Sequence, residues 1–268
     1  MIARKETENS QTLHTAYFQL CYTGPAERSE IHMIETVLFD LDGTLLPMDQ
    51  DEFVNAYMEL LAKKMAPQGY DPKHLIAAVW AGTKAMVEND GQKTNEEVFW
   101  EDFCHIFGPD ARKDEPLFAE FYAADFGQAR TVCRLAPEAA ETIALLKEKG
   151  IRPVLATNPL FPAIATRQRI RWAGLEPEDF ELVTTYENSR FCKPNRSYYR
   201  DLLDKLGKDP ESCLMVGNDV DEDMIPARAV GMEVFLLTDC LLNRSGADTA
   251  AYPQGGFAEL KDFLLRRL

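Results

Sequence analysis

No Cys-x-x-Cys pair occurs in this chain of 268 residues, although it holds six cysteines. That spacing is what small zinc modules and dithiol redox sites need, so both are excluded. Cys21, Cys104, Cys133, Cys192, Cys213 and Cys240 are scattered, and several lie in apolar runs such as Ser212–Val216. Reduced, packed thiols are expected rather than a disulfide framework. No apolar run approaches the roughly 20 residues of a membrane span. Basic residues are in deficit, with 29 Lys and Arg against 44 Asp and Glu and a formal net charge of −15. Such a surface repels phosphate backbones, and no local basic patch offsets it, so nucleic acid is not expected as a partner. Repeats and low-complexity tracts are missing. A charged-then-apolar leader with a small-residue cleavage site is missing too, so the expected location is the cytoplasm.

What is present is an ordinary globular composition, 46% hydrophobic and 27% charged, which excludes disorder, collagen and a coiled-coil rod as the main state. Five short apolar runs read as strands: Ile34–Phe39, Arg152–Ala156, Phe180–Thr184, Cys213–Val216 and Glu233–Leu237. Continuous runs of this kind suit strands covered on both faces. Helical patterns separate them, each ended by a glycine: Pro137–Lys149, Ile164–Ala173, Tyr198–Leu206 and Asp223–Val230. The alternation predicts an α/β fold, a doubly wound five-stranded parallel sheet with helices on both faces. Residues 49–135 break the rhythm. Phe53, Tyr57, Leu60, Leu61 and Met65 recur at helical spacing, a second helix follows Pro72, Thr94–Glu97 reads as a capping box, and Leu117–Phe126 makes a fourth helix. The expected organisation is therefore an α/β core over 33–48 and 136–268, a helical insertion over 49–135, and a polar N-terminal extension over 1–32. That extension either packs loosely or reflects a start codon assigned too early at Met1 rather than Met33.

The chemistry concentrates at strand ends. Asp40-Leu41-Asp42-Gly43-Thr44 leaves the first strand at its carboxyl end, where open α/β sheets hold ligands. Alternation sends both carboxylates to one side, and two like charges held close call for a hard cation such as Mg²⁺. An EF-hand is excluded because the glycine and final glutamate spacings are absent. Gly217-Asn218-Asp219-Val220-Asp221-Glu222-Asp223 leaves another buried strand. Alone it reads as a solvated acidic turn. If the sheet restarts on the far side of strand one, Asp40, Asp42 and Asp219 converge. Thr157-Asn158 ends the second strand, with a hydroxyl and an amide suited to phosphate oxygens. Lys193, held before Pro194, is positioned to pair Asp40 and a phosphate.

Four such motifs in this order resemble the haloacid dehalogenase superfamily of phosphohydrolases, from about Ile34 to the C-terminus. The insertion resembles the family's helical C1 cap; only 34 residues lie between Asn158 and Lys193, too few for a large second cap. The resemblance implies roles. Asp40 is the nucleophile that forms an aspartyl-phosphate. Asp42 is general acid and then base, and its backbone carbonyl serves the metal. Thr157 and Asn158 bind phosphate, together with Lys193, which also steadies the nucleophile. Asp219 is the Mg²⁺ ligand, with Asp223 a ligand or its support; Asn218 and Asp219 can exchange roles. Dehalogenases of the superfamily lack an acid at the second position, so Asp42 favours phosphoryl transfer. The implied activity is a Mg²⁺-dependent phosphatase acting on a small phosphorylated metabolite. A phosphomutase, and a binding or regulatory protein on the same fold, are the alternatives. Asn55, Lys84, Glu88, His105 and Arg130 in the insertion, and the loop Pro47–Asp51, are candidates for leaving-group contacts.

Overall fold

The structure is a computed structural model that describes residues 33–268. The expectation for residues 1–32 lies outside the described residues. Five parallel strands form one sheet in the order β2-β1-β3-β4-β5. They are β1 (Thr36–Phe39), β2 (Val154–Leu155), β3 (Cys213–Gly217), β4 (Glu233–Leu237) and β5 (Gln254–Gly255). The sheet does restart beside β1: Phe39 is in register with Leu155 on one flank and with Val216 on the other. The carboxyl ends of three strands therefore meet where Asp40 leaves the sheet.

Side-chain alternation divides the strands between two cores. Val37, Phe39, Leu214 and Val216 enter one apolar cluster, while Leu38, Cys213 and Met215 enter the other. Each cluster needs its own helical cover, which explains why the strand sequences are apolar throughout. The first cluster contains Ala139, Ile143 and Leu146 of α5 (Pro137–Glu148) and Leu260 and Leu264 of α9 (Phe257–Leu265). The second contains Tyr199, Leu202 and Leu203 of α7 (Arg196–Leu206) and Ala227 of α8 (Ile225–Ala229). Between β2 and α7 lies α6 (Ala163–Trp172).

The helical insertion comprises α1 (Gln50–Met65), α2 (Pro72–Val87), α3 (Asn95–Phe107) and α4 (Glu115–Ala123). The starts of its helices follow local rules. Asp49 and Asp71 accept from Glu52 N and His74 N, and Thr94 and Glu97 form both halves of a capping box. The aromatic residues pack as the core of this bundle, with Phe103 buried against Trp100 and Phe118. The first apolar cluster runs from β1 into the insertion through Phe53, Tyr57 and Phe126. The two linkers run together, bridged antiparallel at Met48 and Cys133, with Arg134 N bonded to Pro47 O at 2.8 Å. On another side, the buried Asn95 amide donates to Pro159 O and to Cys192 Sγ, both at 3.2 Å.

Three expected elements differ. Phe180–Thr184 is not a strand: it follows β2 through bonds from Glu181 N to Pro153 O and from Thr184 N to Leu155 O, with one bridge at Val183. β2 is only two residues long, so it offers no longer ladder. The fifth strand is instead Gln254–Gly255 at the opposite edge. Asp223–Val230 is not one helix. Residues Val220–Met224 form a wider π-helical turn, and α8 begins at Ile225 with Pro226 in its first turn, where a missing N–H costs nothing. Leu117–Phe126 is divided, with α4 ending at Ala123 and a 3₁₀ segment covering Asp125–Val132.

Candidate active site

The site is built where β1 and β3 end. Asp40 continues β1, its N–H donating to Val216 O at 2.9 Å. The chain then turns at Gly43, whose φ is +87°, and a Cβ there would lie 2.4 Å from Asn218 Nδ2. Only glycine allows the Asp40–Thr44 loop to lie this close to the β3 loop. At Gly217 a Cβ would lie 2.1 Å from Asp223 Oδ2, so glycine is needed on that side too.

Lys193 is the centre of the cluster. Its side chain is 1% exposed, and its Nζ donates to Asp40 Oδ1 at 2.8 Å and to Asp223 Oδ1 at 2.6 Å. Asn158 fixes the backbone beneath it: its Oδ1 accepts from Lys193 N at 3.2 Å, and its Nδ2 donates to Glu222 Oε2 at 3.0 Å. Asn195 then caps α7. Thr44 Oγ1 donates to Asn218 Oδ1 at 2.9 Å and approaches Asp40 Oδ2 at 3.3 Å. Thr157 is buried, and its carbonyl accepts from Thr184 and Tyr198 hydroxyls. Burial works against the Lys193 charge, but Asp223 and Asp40 more than offset it and hold the ammonium well above the usual lysine range.

Asp42 turns away from this cluster. Its Oδ2 accepts from Arg169 Nη1, while its Oδ1 is buried with no partner among the described residues. Arg169 is 1% exposed, and its guanidinium lies 4.3 Å from the Phe161 ring centroid. Burial pushes the Asp42 carboxyl above the usual range, Arg169 pulls it back, and Asp40 adds to the rise. Asp219 also has partners of its own. Its Oδ1 accepts from Asp221 N and Glu222 N, and its Oδ2 pairs with Arg244 Nη1 at 2.5 Å.

The polar groups suit a hard divalent cation in kind. All the acidic donors are oxygens, and five carboxylates (Asp40, Asp42, Asp219, Glu222, Asp223) stand against three cations (Lys193, Arg169, Arg244), a formal excess of two negative charges. The orphaned Asp42 Oδ1 adds an unused acceptor. Among the described residues no three acidic, His or Cys side chains already surround one point. Asp40 and Asp219 would hold Mg²⁺ only by giving up contacts of their own, Asp40 those with Lys193 and Thr44, and Asp219 those with Arg244 and two backbone amides. Asp223 is occupied by Lys193 and Asp219 N, and the Asn218 amide by Thr44 and Cys240 O.

Residues 34–231 match the sequence profile of the haloacid dehalogenase-like hydrolases. The chain belongs to that family. Curated relatives are phosphatases. The phosphoglycolate phosphatase of Aquifex aeolicus is 24% identical over 76% of this chain and 84% of its own length. The ribulose-1,5-bisphosphate 5-phosphatase of Halopiger xanaduensis is 27% identical over 76% and 84%. Among solved structures, the HAD phosphatase from Thermococcus onnurineus superposes with a TM-score of 0.53 at 20% identity, over 86% of this chain and 98% of that one. The 2-haloacid dehalogenase from Pseudomonas syringae gives 0.57 at 21%, over 87% and 99%. These two establish the fold. The chain is an α/β hydrolase of this family with an inserted helical cap, and an enzyme of its phosphatase branch.

Several features of this haloacid dehalogenase-like hydrolase escape motif reading. Thr44 and Glu222 sit inside recognised motifs but gain their roles only through Asn218 and Asn158. Arg169 lies in Arg167-Gln168-Arg169-Ile170-Arg171, which reads as a solvated face. Its signal is periodicity, since it falls four residues from both Ala165 and Ala173, which are buried. Arg244 is in a loop with no periodic signal. The candidates Asn55, Lys84, Glu88, His105 and Arg130 are all exposed. Arg169→Met is expected to lower kcat/KM about ten- to a hundredfold. It removes a cation beside Asp42, so the alkaline limb of the kcat/KM–pH profile should move to higher pH. An unmoved limb would show that Asp42 does not titrate against Arg169.

Proposed function

We propose that this chain is a Mg²⁺-dependent phosphatase that hydrolyses a small phosphate monoester through an aspartyl-phosphate on Asp40. The observation that carries this reading is the Lys193 ammonium held between Asp40 and Asp223 at the carboxyl end of the central strand. It neutralises the nucleophile without covering Asp40 Oδ2, which is left to attack phosphorus. The P–O bond to Asp40 forms as the bond to the leaving oxygen breaks, and Asp42 gives that oxygen a proton. A raised carboxyl pKa suits this task. Asp42 then takes a proton from water as the water attacks phosphorus and frees Asp40. Thr157, Asn158 and Lys193 hold the phosphoryl oxygens. Bound Mg²⁺ supplies charge neutralisation of the transferring phosphoryl group. The cap over residues 49–135 closes on the leaving group and excludes water. The curated relatives, named for small phosphorylated compounds, support the substrate size.

Single turnover in heavy-oxygen water tests the reading. Acid-quenched protein should carry a phosphoryl adduct on the peptide that contains Asp40, and the heavy oxygen should appear in released phosphate. Heavy oxygen in the Asp40 carboxylate would instead mean attack on an ester carbon, the dehalogenase course, and would overturn it. Arg244 competes with a cation for Asp219. Its side chain is 57% exposed, so Arg244→Gln should tighten Mg²⁺ binding by only about two- to fivefold in calorimetric titration. Unchanged or weaker binding would remove Asp219 from the metal site.

A further inference from the structure

Glu222 takes no part in the bond changes of the proposed reaction, yet its carboxylate stands beside the catalytic cluster. It is carried on the π-helical turn Val220–Met224. An extra residue in a turn re-aims the side chains that the turn carries, and such turns recur at functional sites. Here two adjacent carboxylates meet different partners. Asp223 Oδ1 accepts from Lys193 Nζ at 2.6 Å, and Glu222 Oε2 accepts from Asn158 Nδ2 at 3.0 Å. The backbone of Glu222 is clamped on both sides. Its N–H donates to Asp219 Oδ1 at 3.0 Å, and its carbonyl accepts from the hydroxyl of the buried Tyr199 at 2.7 Å.

Asn158 in turn holds both polar groups of the Lys193 backbone. Its Oδ1 accepts from Lys193 N at 3.2 Å, and its Nδ2 donates to Lys193 O at 3.4 Å. Both bonds are longer than the usual ~2.9–3.0 Å, so on their own they hold the amide weakly. Glu222 supplies the shortest of the three contacts, and an ionised acceptor strengthens it. It also sets the orientation. A carboxylate only accepts and a backbone N–H only donates, so an amide between them fits one way round. A flipped amide would face donor to donor at Lys193 N and acceptor to acceptor at Glu222. With both Nδ2 hydrogens committed within the protein, the Asn158 side chain serves as scaffold and leaves its backbone N–H for a phosphoryl oxygen.

We propose that Glu222 is a positioning residue for the phosphatase reaction. By locking the Asn158 amide it holds the Lys193 backbone, and through it the ammonium that stands between Asp40 and Asp223. Glu222 acts as a hydrogen-bond acceptor and neither ligates metal nor carries a proton. Its effect on turnover rests on the phosphatase reading above; its effect on Lys193 does not.

Glu222→Gln and Glu222→Met test this, since the two side chains fill similar space and only glutamine keeps an acceptor for Asn158. Hydrogen exchange is measured on the full chain with Mg²⁺. The Lys193 N–H should exchange about tenfold or more faster in Glu222→Met than in the wild type, and about as slowly as the wild type in Glu222→Gln. Amides of β3 should keep their protection in both variants, a control that they fold. Turnover is followed with p-nitrophenyl phosphate and phosphoglycolate. Glu222→Met should lose about ten- to a hundredfold in kcat with KM within about threefold, and Glu222→Gln should stay within about threefold of the wild type. Asn158→Ala keeps the backbone N–H, and Glu222→Met added to it should cost less than about twofold further. Lys193 exchange in Glu222→Met equal to the wild type would overturn the proposal, whatever the turnover. Full additivity with Asn158→Ala would also overturn it, by showing that Glu222 acts through another route. So would Glu222→Gln as damaging as Glu222→Met, since a metal ligand or a proton carrier needs the charge. Absence of a phosphoryl adduct on the Asp40 peptide of the wild type would overturn the phosphatase reading alone, and Lys193 exchange would still decide what Glu222 holds.

Discussion

Lys193→Met is expected to destabilise the protein by about 3–5 kcal/mol, because it leaves Asp40 and Asp223 buried without their shared cation. For a unit of this size that is roughly 6–20 °C in Tm. Methionine fills nearly the same space, so the loss reports charge rather than packing. The pH dependence has a definite sign. In the wild type the Lys193 pKa is raised, so its contribution is complete below the ordinary lysine value and fades only as pH rises through the still higher folded value. Over the neutral range the Lys193 contribution is therefore constant, and the wild-type slope there comes from Asp223, whose carboxyl burial raises to about 8. In the variant, the buried Asp223 loses the cation that pulls its raised pKa down. Its protonated form is favoured further in the folded state, and stability is lost as pH rises through its raised value. Thermal melts in the presence of a chelator should show the gap to wild type narrowing toward acid pH. An equal gap at every pH would mean that Lys193 acts by packing. Turnover should fall by about 10²–10³, the effect of removing one fixed donor to a developing charge.

Asp40→Asn separates chemistry from stability. The amide keeps the carboxylate's shape; its oxygen can still accept from Lys193 and its NH2 then faces the Thr44 hydroxyl as a donor, while Asp223 keeps its own bond to Lys193. Removing one of two adjacent buried carboxylates relieves repulsion, so Tm should stay level or rise. Turnover should drop by about 10⁴ or more, since the attacking oxygen is gone. The opposite signs of the two variants are diagnostic: Lys193→Met loses stability and activity together, and Asp40→Asn loses activity alone. Persistent turnover in Asp40→Asn would show that another group attacks phosphorus.

The contrast between these residues and the rest shows what was legible beforehand. The placement of Asp40, Asp42, Thr157, Asn158 and the Asp219 loop behind strands, and of Lys193 at a turn, was readable because it depends on local sequence. The parallel sheet, the neighbouring of β1 and β3, and the helical insertion were readable from alternation and periodicity. β5 was not, because a two-residue edge strand containing glycine carries no apolar run. Phe180–Thr184 carried such a run but met a partner too short to pair with it. The partners that divert Asp42 and Asp219 were invisible for a different reason. Arg169 and Arg244 are separated from them by 127 and 25 residues, and nothing in local sequence states which carboxylate a distant arginine will find.

The attachment of the cap has a mechanical consequence. The insertion is attached through the paired linkers at Met48 and Cys133, and the Asn95 amide, braced by Asn89 at 2.9 Å, ties it a second time to Pro159 O. Pro159 directly follows Asn158, the residue proposed to bind phosphate. Any movement of the insertion away from this turn must therefore break the Asn95–Pro159 bond. Each such bond holds about 0.5–1.5 kcal/mol net. On the proposed mechanism, release of phosphate and separation of the insertion from this turn would then be linked events.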